Sequence, residues 1–288
     1  MSHQEKIKVN FKNDHEIAED IYLWKYVDLH KFISLISSKS IYIARLDKFE
    51  DKREGITLKH LYFKKIKSVL DNNPIFDGIR EFATVDSMSN YMNTANKELD
   101  QIQKSHYASC WVLTDKLYES AAMWNLYSRP NSIALKIKYH EFKKLVLAKG
   151  FENPAKDIEI TCSPVKYINF QKTNFIHNPG QKELENSVFM KDSSFEHEKE
   201  FRIIAKENKK DAPPIKFRDG VSDAHIEKLY NSLYNCDGIN LKLIDFENYP
   251  FEIVNHPQSK DYAKENIKNI LDRFNLKFKL TDSLLEMK

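Results

Sequence analysis

Residues 21–44 read IYLWKYVDLHKFISLISSKSIYIA, and three patterns follow one another within them. Residues 21–26 are an aromatic and apolar run, made of types that fit a pleated, half-buried surface, and read as a strand. Asp28 then stands where a helix N-cap belongs. Leu29, Phe32, Ile33 and Ile36 follow at i, i+3, i+4 and i+7, the spacing of one buried helical face. Residues 41–44 read as a second strand. The unit is therefore strand, helix, strand, with Trp24-Lys25-Tyr26 ending its first strand.

Outward from this unit, strands and helices mix without regular alternation. Residues 47–55 read as a charged loop. Residues 57–105 read as mostly helical, with Leu58, Leu61, Tyr62, Ile66 and Leu70 at helical spacing, and form a helical insertion. Strands are predicted over 107–113, 132–139, 158–168 (one or two), 201–205 with alternation from Glu198, and 251–254. Short and long helices are predicted over 120–127 and 259–273, and a last strand over 276–280. Residues 251–281 thus make a strand-helix-strand tail. This order predicts an α+β fold with mixed, mainly antiparallel sheets. Turn-forming clusters at Asn72-Asn73-Pro74, His177-Asn178-Pro179-Gly180 and 209–214 break the chain without a shift in composition. The whole span 1–288 is therefore expected to form a single domain.

Composition excludes several classes. A chain of 288 residues buries about three quarters of its unfolded surface, and 12% aromatic content is far from that of a disordered chain. The 6 Gly, at 55, 78, 150, 180, 220 and 238, are too scattered for a dinucleotide fingerprint or a P-loop. No apolar run is long enough to cross a membrane, and residues 1–20 lack the apolar core of a signal peptide. A net charge of +3 is too balanced to argue for nucleic acid or an anionic membrane. The 3 Cys, odd in number and far apart, fit a reducing cytoplasm. The 10 His show no ligand spacing, and neither His-Glu-x-x-His nor Gly-x-Ser-x-Gly occurs.

Four segments are candidates to carry chemistry. In Trp24-Lys25-Tyr26 a cation flanked by aromatics can hold a phosphate and stack a ring, or the rings are core and Lys25 faces solvent. Residues 45–55 bring Arg45, Asp47, Glu50, Asp51 and Glu54 together, as a metal loop would or as a solvated loop with local ion pairs. Trp124, Tyr127 and Ser128 share a helical face at i, i+3 and i+4, beside the small pair Ala121-Ala122, as a site or as packing. Glu198, Glu200 and Arg202 alternate against Phe201 and Ile203. Facing inward, that acidic row must be paired and marks a site; facing outward, it is a wet strand face.

In this order the segments resemble a family of bacterial proteins known as domain of unknown function 2971. The likeness rests on Tyr22 to Ile36, on Arg45, Phe49, Asp51 and Glu54, on residues 107–111, on Met123, Trp124 and Tyr127, and on Glu198, Glu200, Phe201 and Arg202. Val112 departs from the family's usual Ser. A looser resemblance is to ADP-ribosyltransferase-like folds, which order a basic residue on a first strand, a middle Ser or Tyr and a late Glu. Lys25, Tyr127 and Glu200 fall in that order, with Lys where the family has His or Arg.

That second resemblance implies a split sandwich and a cytoplasmic enzyme acting on NAD, with a toxic or anti-phage role. Glu200 would stabilise an oxocarbenium-like ribose, and Glu198 would position the acceptor, protein or nucleic acid. Lys25 or Arg45 would bind the pyrophosphate, with Tyr26 beside Lys25 in the same segment. Trp124 or Tyr127, with Ser128 next to them, would stack on nicotinamide. Arg202 would lock the strand by pairing with Glu198, and no metal is expected. Two other readings stay open: a metal-dependent nuclease or phosphodiesterase built on Asp47, Asp51, Glu54, Glu198 and Glu200, and a non-catalytic binding module. Convergence of Lys25, Tyr127 and Glu200 on one cleft favours the first. Loop carboxylates within about 4–6 Å of Glu198 or Glu200, sharing a cation, favour the second.

Overall fold

The computed structural model describes residues 9–13, 20–58, 85–115, 119–152, 158–172, 186–208 and 232–287, with isolated positions besides. The three turn clusters and most of 59–84 lie outside the described residues. The first half runs β1 (Val9–Phe11), β2 (Tyr22–Val27), α1 (Leu29–Ser38), β3 (Ser40–Arg45), α2 (Val85–Ser105), β4 (His106–Thr114), α3 (Ala121–Tyr127) and β5 (Ile133–Lys138). It continues with α4 (Tyr139–Lys149), β6 (Phe151–Glu152), β7 (Ile158–Pro164), β8 (Lys166–Ile168) and β9 (Met190–Asp192). β10 (Glu200–Glu207), β11 (Gly238–Leu243), β12 (Glu252–Asn255), α5 (Asp261–Arg273) and β13 (Lys279–Asp282) complete it.

The opening unit forms as its pattern predicts. The Asp28 side chain accepts from the Lys31 backbone N–H at 2.8 Å, capping α1, and Phe32, Leu35 and Ile36 are its buried face. Ser120 caps α3 in the same way, accepting from Met123 N. Among the described residues eleven strands join one open sheet, in the order β1-β7-β10-β4-β2-β5-β12-β13, with β3 pairing both β4 and β11 and β11 pairing β6. Most pairs are antiparallel; β1–β7 and β12–β13 are parallel, as is the separate β8–β9 pair. The fold is α+β.

The sheet has two differently used faces. On one, Leu23, Ile43, Trp111, Leu135, Phe201, Ile203 and Ile253 pack against Phe32 of α1, Phe142 of α4 and Ile267 of α5 in the main core. On the other, two smaller clusters form. One packs Met123 and Trp124 of α3 on Trp24, Val112 and Ala134. The other packs Ile102 of α2 on Leu46, Ala108, Phe189 and Ile204. Between these clusters the second face is open.

The opening follows from strand register. β4 pairs along its length with β10, but its other edge is shared. Tyr107 and Ala108 pair with Arg45 and Ala44 of β3, whereas Val112 to Thr114 pair with Trp24 to Tyr22 of β2. The sheet therefore forks at Ser109, Cys110 and Trp111, between β2 and β3.

Three expectations need correction. The acidic strand does not begin at Glu198: that residue ends a 3₁₀ helix (Ser193–Glu198), and Lys199 in left-handed conformation (φ 42°) turns the chain before β10 starts. Tyr139 opens α4 instead of ending β5. The last strand starts at Lys279, after Leu276 and Phe278, which are buried in the main core. α4 and β11 have no counterpart among the elements read from the sequence.

Candidate functional site

Lys25 is held at the fork. Its neighbours Leu23 and Val27 point into the main core, and its side chain lies on the same side. The missing strand there gives it room and partners. Its Nζ donates to Ser109 Oγ at 2.9 Å and to the Cys110 carbonyl at 3.0 Å, and lies 5.4 Å from the Trp111 ring centre. No carboxylate is within salt-bridge distance of it among the described residues. Burial lowers its pKa to about 8.

A cavity of about 680 Å³ opens over the fork. That is ample for a small-molecule ligand. Lys25, Tyr26, Cys110, Tyr127, Lys191, Glu54, Glu198 and Glu200 all line it. β10 brings Glu200, β9 brings Lys191, the 3₁₀ helix brings Phe195 and Glu198, and α3 brings Tyr127 at its C-terminal end.

The carboxylates form one buried network with two cations. Lys191 Nζ donates to Glu198 Oε2 at 2.6 Å and Glu200 Oε1 at 2.8 Å, and stands 3.6 Å from Glu54 Oε1. Arg202, 0% exposed, donates to Glu200 Oε2 at 2.6 Å, grips both Glu54 oxygens at 2.7 and 3.0 Å, and reaches the Val188 carbonyl at 2.8 Å. Tyr127 donates its phenol proton to Glu198 Oε1 at 2.7 Å. The Glu200 backbone N–H donates to Tyr167 Oη at 2.8 Å, which fixes the start of β10.

The two neighbouring carboxyls are driven apart. Burial alone would raise Glu200, but the Arg202 guanidinium and Lys191 ammonium outweigh it and hold it well below the usual carboxylate range. Glu198 is raised, by burial and by the nearby Glu200 carboxylate, against the pull of Lys191 and Tyr127. Burial and the Glu198 contact raise Tyr127, and burial raises the Cys110 thiol, which therefore stays protonated.

Lys25, Tyr26, Tyr127, Glu198 and Glu200 thus share one cleft. Four other residues singled out in the sequence do not line it. Arg45 is committed to both Asp47 oxygens and to the Tyr234 carbonyl. Trp124 is fully buried below α3, donating to Glu119 at 2.8 Å and packing edge-on against Tyr26 and His256. Ser128 donates to the Trp124 carbonyl at 2.6 Å. Arg202 lies beneath the floor and pairs with Glu54 and Glu200, not with Glu198.

Of the loop carboxylates, Asp47 pairs with Arg45 and Asp51 with Arg53, whereas Glu54 reaches the cleft. Lys191 and Arg202 fill the space between Glu54, Glu198 and Glu200 that a shared metal ion would need. Among the described residues no group of three or more His, Cys, Asp or Glu side chains is set to hold a metal.

Lys191 and Ser109 are parts of the site that sequence reasoning missed, and Glu54 it placed in the 45–55 loop, as a metal ligand, a solvated charge or a family-motif residue, without its tie to Arg202. Lys191 left one signal, a lone cation following the apolar run Val188-Phe189-Met190. Glu54 left another: it precedes Gly55, whose φ of +76° and 3.0 Å clearance from Ile102 suit a glycine and turn the loop inward.

The lowered Lys25 pKa has a measurable consequence. Unfolded, the amine keeps its proton up to about 10.5; folded, it loses it near 8. Between those values the unfolded chain binds more protons, so this residue's penalty on stability is full below pH 8 and relieved as pH rises to about 10.5. The Tm difference between Lys25→Met and the native protein is expected to change across that window. A difference independent of pH would show that the amine titrates alike in both states.

No helix among the described residues is long and apolar enough to cross a membrane. No curated protein matches the chain, and no solved structure does, so the likeness to ADP-ribosyltransferase folds gains no support from these comparisons. The bacterial family resemblance read from the motifs does hold over the second half of the cleft. Residues 123–203, which carry Tyr127, Lys191, Glu198 and Glu200, match the model of the family described as protein of unknown function (DUF2971).

Proposed function

We propose that the cleft binds NAD or a closely related nucleotide and breaks its nicotinamide–ribose bond, passing the ribosyl group to water or to an acceptor. The observation that carries this reading is the convergence of Lys25, Tyr127 and Glu200 on one cavity. In the reaction the C1′–N bond breaks and its electron pair leaves with nicotinamide, which departs neutral. The ribose is left as an oxocarbenium ion. Glu200, held ionised by Arg202 and Lys191, faces that positive charge. Glu198, the raised carboxyl, takes the proton of the attacking hydroxyl, with Tyr127 orienting it. Lys25, whose charge has only neutral hydrogen-bond partners among the described residues, receives the pyrophosphate. Tyr127 and Phe195 offer rings for nicotinamide in place of Trp124.

Charge bookkeeping supports the same polarity. Glu54, Glu198 and Glu200 face Lys191 and Arg202, so the fully ionised network carries one surplus negative charge where the cationic nicotinamide would lie. NAD loss would poison a cell, which suits a toxic or phage-defence role in the cytoplasm, where the unpaired Cys110, Cys162 and Cys236 stay reduced.

A non-catalytic binding module is the second reading, favoured by one observation: both oxygens of Glu198 and of Glu200 already have partners. The deciding experiment is nicotinamide release from NAD by the purified protein, with cell extract added as a source of acceptor or activator. Release that depends on Glu200 supports the enzyme. No release under any of these conditions moves the cleft to the binding reading.

A further inference from the structure

The cleft has a second end that the chemistry above leaves unused. At the fork it continues past Lys25 to Lys31 and Ser34 on α1 and to Tyr42 on β3. Glu54, Glu198 and Glu200 are tied together by Lys191 and Arg202, whereas Lys25, Lys31, Ser34 and Tyr42 lie outside that network; Lys48, Glu50 and Asp51 also line the cavity.

Tyr42 is the residue that stands out there. It is 52% exposed, although it lies in a strand whose neighbours Ile41 and Ile43 are fully buried. Its ring is not free to fold away. The phenol end lies across Gly238 of β11, so close that a Cβ at that position would stand 2.2 Å from Oη and 2.3 Å from Cζ. A Cβ there would also stand 2.7 Å from the Ile43 carbonyl oxygen. A residue with any side chain at 238 would drive the ring off. Glycine here leaves an aromatic ring seated at the rim of a cavity, with its orientation set by the strand beneath it. An ordered aromatic surface of this kind suits a nucleobase, because every base has a π-face to stack.

We propose that Tyr42 is the base-stacking and specificity-determining residue of the cleft, receiving the adenine of a dinucleotide whose phosphates lie against Lys25 and whose other ring lies near Tyr127. This rests on the NAD reading and deepens it: it makes the whole dinucleotide, not the nicotinamide half alone, the preferred ligand. Tyr42 touches no reacting atom in this arrangement, so its contribution is the same in the ground and transition states. Such uniform binding appears in KM and leaves kcat nearly unchanged.

The test uses the full chain, with NAD, ADP-ribose and nicotinamide mononucleotide as probes in calorimetric titration and in turnover. Tyr42→Ala is expected to weaken ADP-ribose and to raise KM for NAD by about 5–150-fold, the effect of losing one base–aromatic stack. Binding of nicotinamide mononucleotide, which has no adenine to stack, is expected to stay within about twofold of the native value. Tyr42→Phe, which keeps the ring, is expected to retain native binding. If NAD is bound and cleaved but Tyr42→Ala leaves ADP-ribose and KM unchanged, the assignment of Tyr42 is overturned and the NAD reading stands. If the native protein neither binds nor cleaves any of the three, both are overturned together.

Discussion

Replacing Arg202 with methionine is expected to lower stability by about 3–5 kcal/mol, a fall in Tm of roughly 6–20 °C for a chain of this size. The reason lies in what is left behind. Arg202 makes four hydrogen bonds to Glu54, Glu200 and the Val188 carbonyl in a fully buried position. Without it, Glu54 and Glu200 lose their buried guanidinium partner, and Lys191 alone faces three carboxylates. Methionine fills most of the volume, so the loss measures electrostatics more than a cavity. Adding Glu54→Gln to Arg202→Met should restore part of the stability, because it removes one uncompensated charge, and the two changes should be strongly non-additive. Thermal and denaturant melts of the two singles and the double decide it. Melting of Arg202→Met at the native temperature would mean that these carboxylates find water. By contrast, the exposed Lys31–Asp28 pair belongs to a class that contributes about 0–1 kcal/mol.

The elements legible in the sequence are those whose stability is local. α1 carries its own cap and apolar stripe between residues 28 and 36, so periodicity finds it. β5 alternates cleanly because one of its faces carries Ile133, Leu135 and Ile137 in the main core. α4 escapes because its buried set, Tyr139, Phe142 and Val146, is interrupted by His140, Lys143 and Lys144 and follows a strand with no break. β11 escapes because its alternation is brief and depends on β3 for partners.

The site divides along the same line. Glu198, Glu200 and Tyr127 stand in compact motifs and are visible in a single sequence. Whether the acidic row faces inward is not, because that depends on Lys191 and on Glu54, the latter 148 residues from Arg202 along the chain. The fork itself is a register effect: it exists because β2 and β3 dock on opposite halves of one edge of β4. No property of residues 109–111 announces it. Arg45 and Trp124 were attractive candidates for the opposite reason. Arg and Trp suit ligand binding by type, but each here finds a complete set of partners within the protein.

Glu200→Gln is expected to cut nicotinamide release by about 10²–10³-fold, with kcat and kcat/KM falling together, since the carboxylate matters most when the ribose becomes cationic. The same change should leave the fold intact. It converts three carboxylates against two cations into two against two, and the amide oxygen can still accept from Lys191 or Arg202. Activity and stability are therefore predicted to separate at position 200, whereas at 202 they fall together. Glu198→Gln is expected to cost about 10²–10⁴-fold in transfer, as for loss of a general base, and to abolish the acid limb of the pH–rate profile, because Glu198 must be ionised to accept a proton. Nicotinamide release and melting curves measured on the same preparations separate the roles. Equal release from native protein and Glu200→Gln would remove Glu200 from the chemistry whatever Glu198→Gln does. An acid limb that survives Glu198→Gln would assign the base elsewhere. The combination expected here, a stable Glu200→Gln without turnover and a Glu198→Gln without an acid limb, requires that one carboxyl stay charged while its neighbour exchanges a proton. Arg202 and Lys191 on one side, and Tyr127 on the other, create that asymmetry.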